Sequence, residues 1–319
     1  MNFIVLGTSK FTIACAQALL VGNATISALI SMPVGVRPIN SVDIEAFAKN
    51  FHIDYFETSD INSSESLAFL REKSPDYVLS TWPRLIGNEV LAVPRCFVVG
   101  SHPADLPRNR GRHPLHWTID LGIKETKLTF FIMDQAIDSG DILLQVPIKI
   151  DESDSIVDLN EKVFNAAGIA IQQLLACLSD YSNHPAQVQD HKAASFWRKR
   201  TPFDVIIDFR MPANNILQTI RSFIPPYPAA KIVFRDHIIK IVEGKIILTS
   251  LAFGSVEQIE PGKILDTDDY AITVKSADKI IWLISPKPLP LEIRKAKYIH
   301  PPAKYFSESS NSLLPYLNL

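Results

Sequence analysis

Cysteine is scarce in this chain. Cys15, Cys96 and Cys177 are the only three in 319 residues, each within an apolar segment, and none belongs to a CxxC or Cys/His cluster. An odd, scattered set reads as buried free thiols in a reducing cytosol, not as a disulfide framework or a zinc site. A cytoplasmic location is therefore expected. Long hydrophobic runs are missing too. None approaches the ~20 residues that span a bilayer, so no membrane association is expected. The first residues, MNFIVLGTSKF, have no basic leader and no small-residue cleavage site, and read as a strand rather than a signal peptide. Nor is there an excess of one charge. The net charge of -2 argues against a protein built around non-specific nucleic-acid binding. Several signatures are absent. GTSKF has one glycine where GxGxxG needs three, and there is no GxxxxGK[ST], GxSxG or HExxH. Dinucleotide and metal chemistry lack support, and no metal is expected.

What remains is an ordinary globular composition, 47% hydrophobic and 21% charged. The length suggests two domains. Short apolar runs alternate with helical patterns over the first half. NFIVL is followed by FTIACAQALLVG, ISALIS by VDIEAFAKNFHI, then SSESLAFLREKS, DYVLSTW, LIGNEVLAVP and CFVVG. This alternation predicts an α/β fold, a Rossmann-like, mostly parallel sheet with helices on both faces. Such sheets bind ligands at the carboxyl ends of their strands, which puts Trp82 and His102 on one rim. KLTFFIMD and ILLQVPIKI read as an antiparallel edge. A long helix follows from DESDS, capped by Asp154 or Ser155.

The boundaries are expected at 1–190 for the first domain, 191–203 for a polar linker and 204–319 for the second domain with its tail. The second domain reads as a small OB-like β-barrel, because AKIVF, HIIKIVEGKIILTSL, AITVKSA and KIIWLIS are short alternating strands. The proline-rich tail from Pro286 is expected to wrap the surface or to be partly disordered. Charge is uneven: residues 1–194 sum to -7 and residues 195–319 to +5. A solvated surface explains this; a phosphorylated or nucleotide-bearing substrate is compatible with it.

Chemistry concentrates between Gly100 and Asp141. His102 leaves the CFVVG strand directly before Pro103, which biases it to extended backbone. A lone histidine is more often structural than catalytic. Here Asp138 lies in a second loop after a second strand, and an acid–histidine pair on a sheet rim is a proton-transfer unit. Ser139 and Gly140 read as a tight turn. Pro103, Leu106 and Pro107 shape the first loop. Arg108, Arg110 and Arg112 read as solvated charges or, with Asn109, Gly111 and His113, as an anion-friendly rim. Trp82, Leu85 and Ile86 read as core or as a flat apolar slot for a heteroaromatic ring.

Over nearly its whole length the chain resembles the formyltransferases that use 10-formyltetrahydrofolate, in the branch containing methionyl-tRNA formyltransferase and the nucleotide-sugar N-formyltransferases. HPADLPRNRGRHPLHW is similar to H-x-x-L-L-P-x-x-R-G-x-x-P, and MDQAIDSGDIL to M-D-x-x-x-D-x-G-D-I-L. RTPFDVIIDFRMPANNILQTIRSFIPPYPAAKI resembles the family's C-terminal domain. The resemblance implies catalytic roles for His102 and Asp138, and folate contacts from Trp82, Leu85, Ile86, Pro103, Asp134 and Gly140. It implies 10-formyltetrahydrofolate as formyl donor. The family's Asn, two residues before the histidine, is Gly100 here. The expected substitute for its amide is the backbone N–H, a water or Ser101.

The acceptor is expected to be a small amine, first a nucleotide-linked amino sugar, then a hydroxylated ornithine or another small amine. Initiator tRNA is disfavoured, because the loop SMPVGVRPINS holds one arginine where the tRNA-directed branch carries a basic insertion. A catalytically weak folate-binding homologue is the reading from another class, suggested by Gly100. Homodimer formation is compatible with the sequence.

Overall fold

A computed structural model describes residues 1–183, 185–247 and 255–308. The chain divides into two compact units. The first comprises Met1–Pro114, Glu125–Ile150 and Leu159–Arg198; the second comprises Leu115–Lys124, Asp151–Asp158 and Lys199–Leu319. The segment expected as a linker is thus divided, with residues up to Arg198 in the first unit.

The strands in chain order are β1 (Asn2–Leu6), β2 (Thr25–Ser31), β3 (Asp54–Glu57), β4 (Tyr77–Ser80), β5 (Phe97–His102), β6 (Arg110–Gly111), β7 (Glu125–Ile132), β8 (Ile142–Lys149) and β9 (Phe196–Trp197). The second unit adds β10 (Ala230–Phe234), β11 (His237–Ile241), β12 (Glu243–Ile247), β13 (Ile264–Thr267), β14 (Ala271–Lys275) and β15 (Ile280–Ile284). The helices used below are α1 (Lys10–Val21), α2 (Ile44–Asn50), α3 (Ser64–Lys73), α4 (Asn88–Leu91), α5 (Pro114–Asp120), α6 (Ile156–Ser179) and α7 (Ala213–Ser222).

The first unit holds a seven-stranded sheet in the order β3-β2-β1-β4-β5-β7-β8. β1 to β5 are parallel, and β7 and β8 form the antiparallel edge expected from the sequence. Phe3, Ile4, Val5 and Leu6 of β1 are all buried. A central parallel strand is covered on both faces, which is why NFIVL reads as a continuous apolar run and not as an alternation. Ser9 and Thr12 form a capping box that starts α1. The strand order reverses between β1 and β4, the usual ligand crevice of such sheets. Here Thr12 Oγ1 and Thr81 Oγ1 hydrogen-bond at 2.7 Å. A Cβ on Gly7 would sit 2.0 Å from Thr81 Oγ1. The single glycine of GTSKF therefore serves this close packing.

In the second unit β10 and β11 form a hairpin, and β12-β15-β14-β13 form an antiparallel sheet. Ile216, Leu217 and Ile220 of α7 share a core with Ile232, Ile281 and Leu283. The run HIIKIVEGKIILTSL is two strands here, broken at Val242, and its last residues from Leu248 lie outside the described ones. Leu289, Ile293, Ile299 and Tyr305 are buried in the same core, so the tail packs through Tyr305. The expectation for residues 309–319 falls outside the described residues. Ser155 caps α6, accepting from the Asp158 N–H at 3.4 Å. Among the described residues no helix is long and apolar enough to cross a membrane.

Candidate active site

His102 ends β5 and is 5% exposed. Its Nε2 lies 2.9 Å from the Asn109 carbonyl oxygen, and its Nδ1 lies 3.6 Å from Asp138 Oδ2. A carbonyl is only an acceptor, so Nε2 carries a proton. Nδ1 is the ring nitrogen turned toward the Asp138 carboxylate. The same Oδ2 accepts the Gly111 N–H at 2.8 Å. A backbone donor and an imidazole thus converge on one carboxylate oxygen, leaving the other for a third proton.

Asp138 reaches His102 by an indirect path. Because β7 runs antiparallel to β5, its following loop leaves the sheet level with Val98, where the Met133 N–H donates to the Val98 carbonyl at 2.8 Å. The loop then folds back to bring Asp138 to the end of β5. Four residues of the two loops hold positive φ: Asn109 (63°), Gly111 (104°), His113 (56°) and Asp138 (51°). For the three that are not glycine this left-handed backbone is sparsely populated and is sustained only by surrounding contacts.

Two of the substitutes expected for the missing amide, the Gly100 N–H and Ser101, are placed elsewhere by the strand. The Met133–Val98 bond makes Val99–Ile132 the non-hydrogen-bonded pair and Gly100–Phe131 the hydrogen-bonded one. The Gly100 N–H is therefore committed to the sheet. Ser101 is adjacent in the strand and faces the opposite side from His102. The space itself is filled: a Cβ at position 100 would lie 2.7 Å from Met133 Cγ and 2.8 Å from Phe131 Cζ. Glycine lets these two side chains pack where an amide would otherwise project.

The other expected contacts divide into two kinds. Trp82 is 9% exposed and belongs to the core with Ile4, Val78 and Val98; Ile86 packs against that core. Leu85 is 77% exposed, its carbonyl accepting from Asn62 Nδ2 at 3.2 Å. Pro103 is half-buried beside His102. Asp134 closes its own loop, its Oδ1 accepting from Ser139 Oγ at 2.6 Å and from the Ala136 N–H at 3.0 Å. Gly140 is required sterically, because a Cβ there would lie 1.7 Å from the Ile132 carbonyl oxygen. Among the described residues no three His, Cys, Asp or Glu side chains gather as a metal set.

Asn109 and Gly111, read from the sequence as members of an anion-friendly rim, hold the pair: Asn109 holds His102, and Gly111 holds Asp138. Arg110, read as a rim charge, is 3% exposed. Gln189 is equally buried and bonds both loops. It carried no signal, being one polar residue in a polar stretch.

The formyl transferase family model matches residues 1–175, and the model of the formyl transferase C-terminal domain matches residues 199–292. The chain is 23% identical to a methionyl-tRNA formyltransferase of Clostridioides difficile, over 89% of this chain and 91% of that one. It is 25% identical to a methionyl-tRNA formyltransferase of Staphylococcus aureus, over 98% of each. Its fold is similar to a Helicobacter canadensis N-formyltransferase solved with folinic acid and dTDP-3-aminofucose, with a TM-score of 0.64 at 17% identity, covering 89% of this chain and 98% of that one.

Proposed function

The chain belongs to the formyl transferase family, and from that premise we propose that it moves a formyl group from 10-formyltetrahydrofolate to the primary amine of a nucleotide-linked amino sugar. The observation that carries the chemistry is the His102–Asp138 pair, held by Asn109 and Gly111 at the end of β5. The amine nitrogen attacks the formyl carbon, and a new C–N bond forms. The amine proton passes to the free oxygen of Asp138. His102 Nε2–H, held by the Asn109 carbonyl in the resting structure, turns to the oxygen that becomes negative. The bond between the formyl carbon and N10 of the folate breaks, N10 takes up a proton, and tetrahydrofolate leaves.

The site has one side-chain donor for that oxygen where the family pattern provides two. Loss of one such donor typically costs about 10²–10³ in rate. A slower enzyme on a good amine nucleophile, or a catalytically weak folate-binding homologue, both follow from the filled space at Gly100.

The loop between β2 and α2 supports the small acceptor. Its single cation is Arg37, whose Nη1 donates to the loop's own Val42 carbonyl at 3.4 Å. Binding to RNA is dominated by cations placed on phosphates, and this loop offers little. Initiator methionyl-tRNA is the second reading, favoured by full-length similarity to enzymes named for that substrate.

Titration with 10-formyltetrahydrofolate and a panel of amines, following folate absorbance, separates these readings. Turnover with dTDP- or UDP-linked amino sugars is the expected result. Turnover with charged initiator tRNA alone would establish the second reading and remove the first. Folate binding without transfer to any amine would leave the non-catalytic homologue.

A further inference from the structure

We propose that the segment from Gln187 to Trp197 is a strap that sets the geometry of the catalytic loops, with Gln189 as its positioning residue. The sequence marks this stretch as polar connection. In the structure it threads along both loops of the site. Gln187 and Ile142 exchange two backbone hydrogen bonds, each 2.8 Å, just beyond the Asp138 loop. Further along, β9 pairs with β6 in parallel: the Ser195 carbonyl accepts from the Arg110 N–H at 2.9 Å and the Trp197 carbonyl from the Arg112 N–H at 3.0 Å. Ser195 Oγ also accepts the Asn109 N–H at 2.9 Å.

Gln189 joins the two loops through one buried amide. Its Nε2 donates to the carbonyl of Asp138 at 3.0 Å and to that of Gly140 at 2.6 Å. Its Oε1 accepts from Arg110 Nε at 3.2 Å and Nη2 at 2.5 Å. Two donors and two lone pairs are the full capacity of a carboxamide, so this group is saturated. No carboxylate pairs with Arg110 among the described residues. The guanidinium instead meets Gln189, His191 Nδ1 at 3.3 Å and the Phe196 ring at 5.7 Å. A cation on the amide oxygen polarises the amide and strengthens its N–H donation. Both ends of the bridge act next to the reacting groups: one holds the backbone of Asp138, the other the residue between Asn109 and Gly111. Gln189 hydrogen-bonds neither His102 nor the Asp138 carboxylate, so it acts through the loops.

This inference builds on the formyl-transfer reading, and its test includes a readout independent of turnover. Gln189→Glu keeps the acceptor for Arg110 but removes both donors to the Asp138 loop and turns oxygen toward two carbonyls. Gln189→Leu removes both sides without adding charge. Ser195→Ala, at an exposed position, removes the two side-chain hydrogen bonds between the strap and Asn109. The full-length protein carries 15N-labelled histidine, and the His102 Nε2–H signal reports its bond to Asn109. Expected for either folded Gln189 variant are a fall in kcat of about 10²-fold, little change in KM for the formyl donor, and a shifted or rapidly exchanging His102 signal. Ser195→Ala is expected to fold and to show the same pattern more weakly. A merely structural role predicts a lower Tm with kcat and the His102 signal unchanged in the folded variants, including Ser195→Ala; that result overturns the proposal. If the wild type transfers no formyl group, the functional reading fails, and the His102 signal alone decides the strap.

Discussion

Gly100 shows how one absent side chain shapes a site. Its missing Cβ admits Phe131 and Met133, and its N–H belongs to the β5–β7 ladder. Restoring the family's residue alone therefore does not restore its function. Gly100→Asn is expected to overpack the site, lowering stability by about 1–3 kcal/mol, with no gain in kcat; thermal unfolding and steady-state kinetics check both. A rise in kcat with unchanged Tm would show that Phe131 and Met133 yield freely. His102 and Asp138 were legible in the sequence, because a histidine at a strand exit and an acid in a glycine turn stand out from their neighbours. Asn109 and Gly111 were read only as part of an anion-friendly rim; their holding of His102 and Asp138 was not legible, because it runs through a backbone carbonyl and a backbone N–H that any residue possesses. Arg110 was misread as a rim charge for a related reason: its burial depends on Gln189, 79 positions away.

At the scale of elements, the parallel sheet was legible because strand and helix periods alternate cleanly. The two-residue strands β6 and β9 were not, since two residues have no period. Yet their pairing holds the loop of Asn109 and Gly111. Gly111 adopts φ of 104°, and a Cβ there would lie 2.3 Å from the Trp197 carbonyl oxygen. Gly111→Ala is expected to strain the backbone by about 1–3 kcal/mol and to separate β6 from β9. The Gly111 N–H would then leave Asp138, and kcat should fall at least about tenfold by loss of alignment. Limited proteolysis should open new cleavage between residues 190 and 198. Wild-type kinetics and an unchanged digestion pattern would mean that the strand pair is dispensable. The return path of the Asp138 loop also escaped the sequence, which places the acid after a strand but not the strand's direction.

For the whole molecule, the second of the two compact units is antiparallel, as its short alternating strands suggest. The acceptor is less legible, because loops choose it and loops lack periodicity. The charge difference between the two parts of the chain, -7 against +5, fits a nucleotide-bearing acceptor without specifying one. What does not depend on the acceptor is the role proposed for the His102–Asp138 pair. The most direct measurement is single-turnover formyl transfer from 10-formyltetrahydrofolate by wild type and Asp138→Asn, with folate binding measured in both. Asn preserves shape but cannot take the amine proton. The expected result is intact folate binding with the transfer rate reduced by about 10²–10⁴-fold; transfer within about threefold of wild type would contradict a catalytic role for the His102–Asp138 pair.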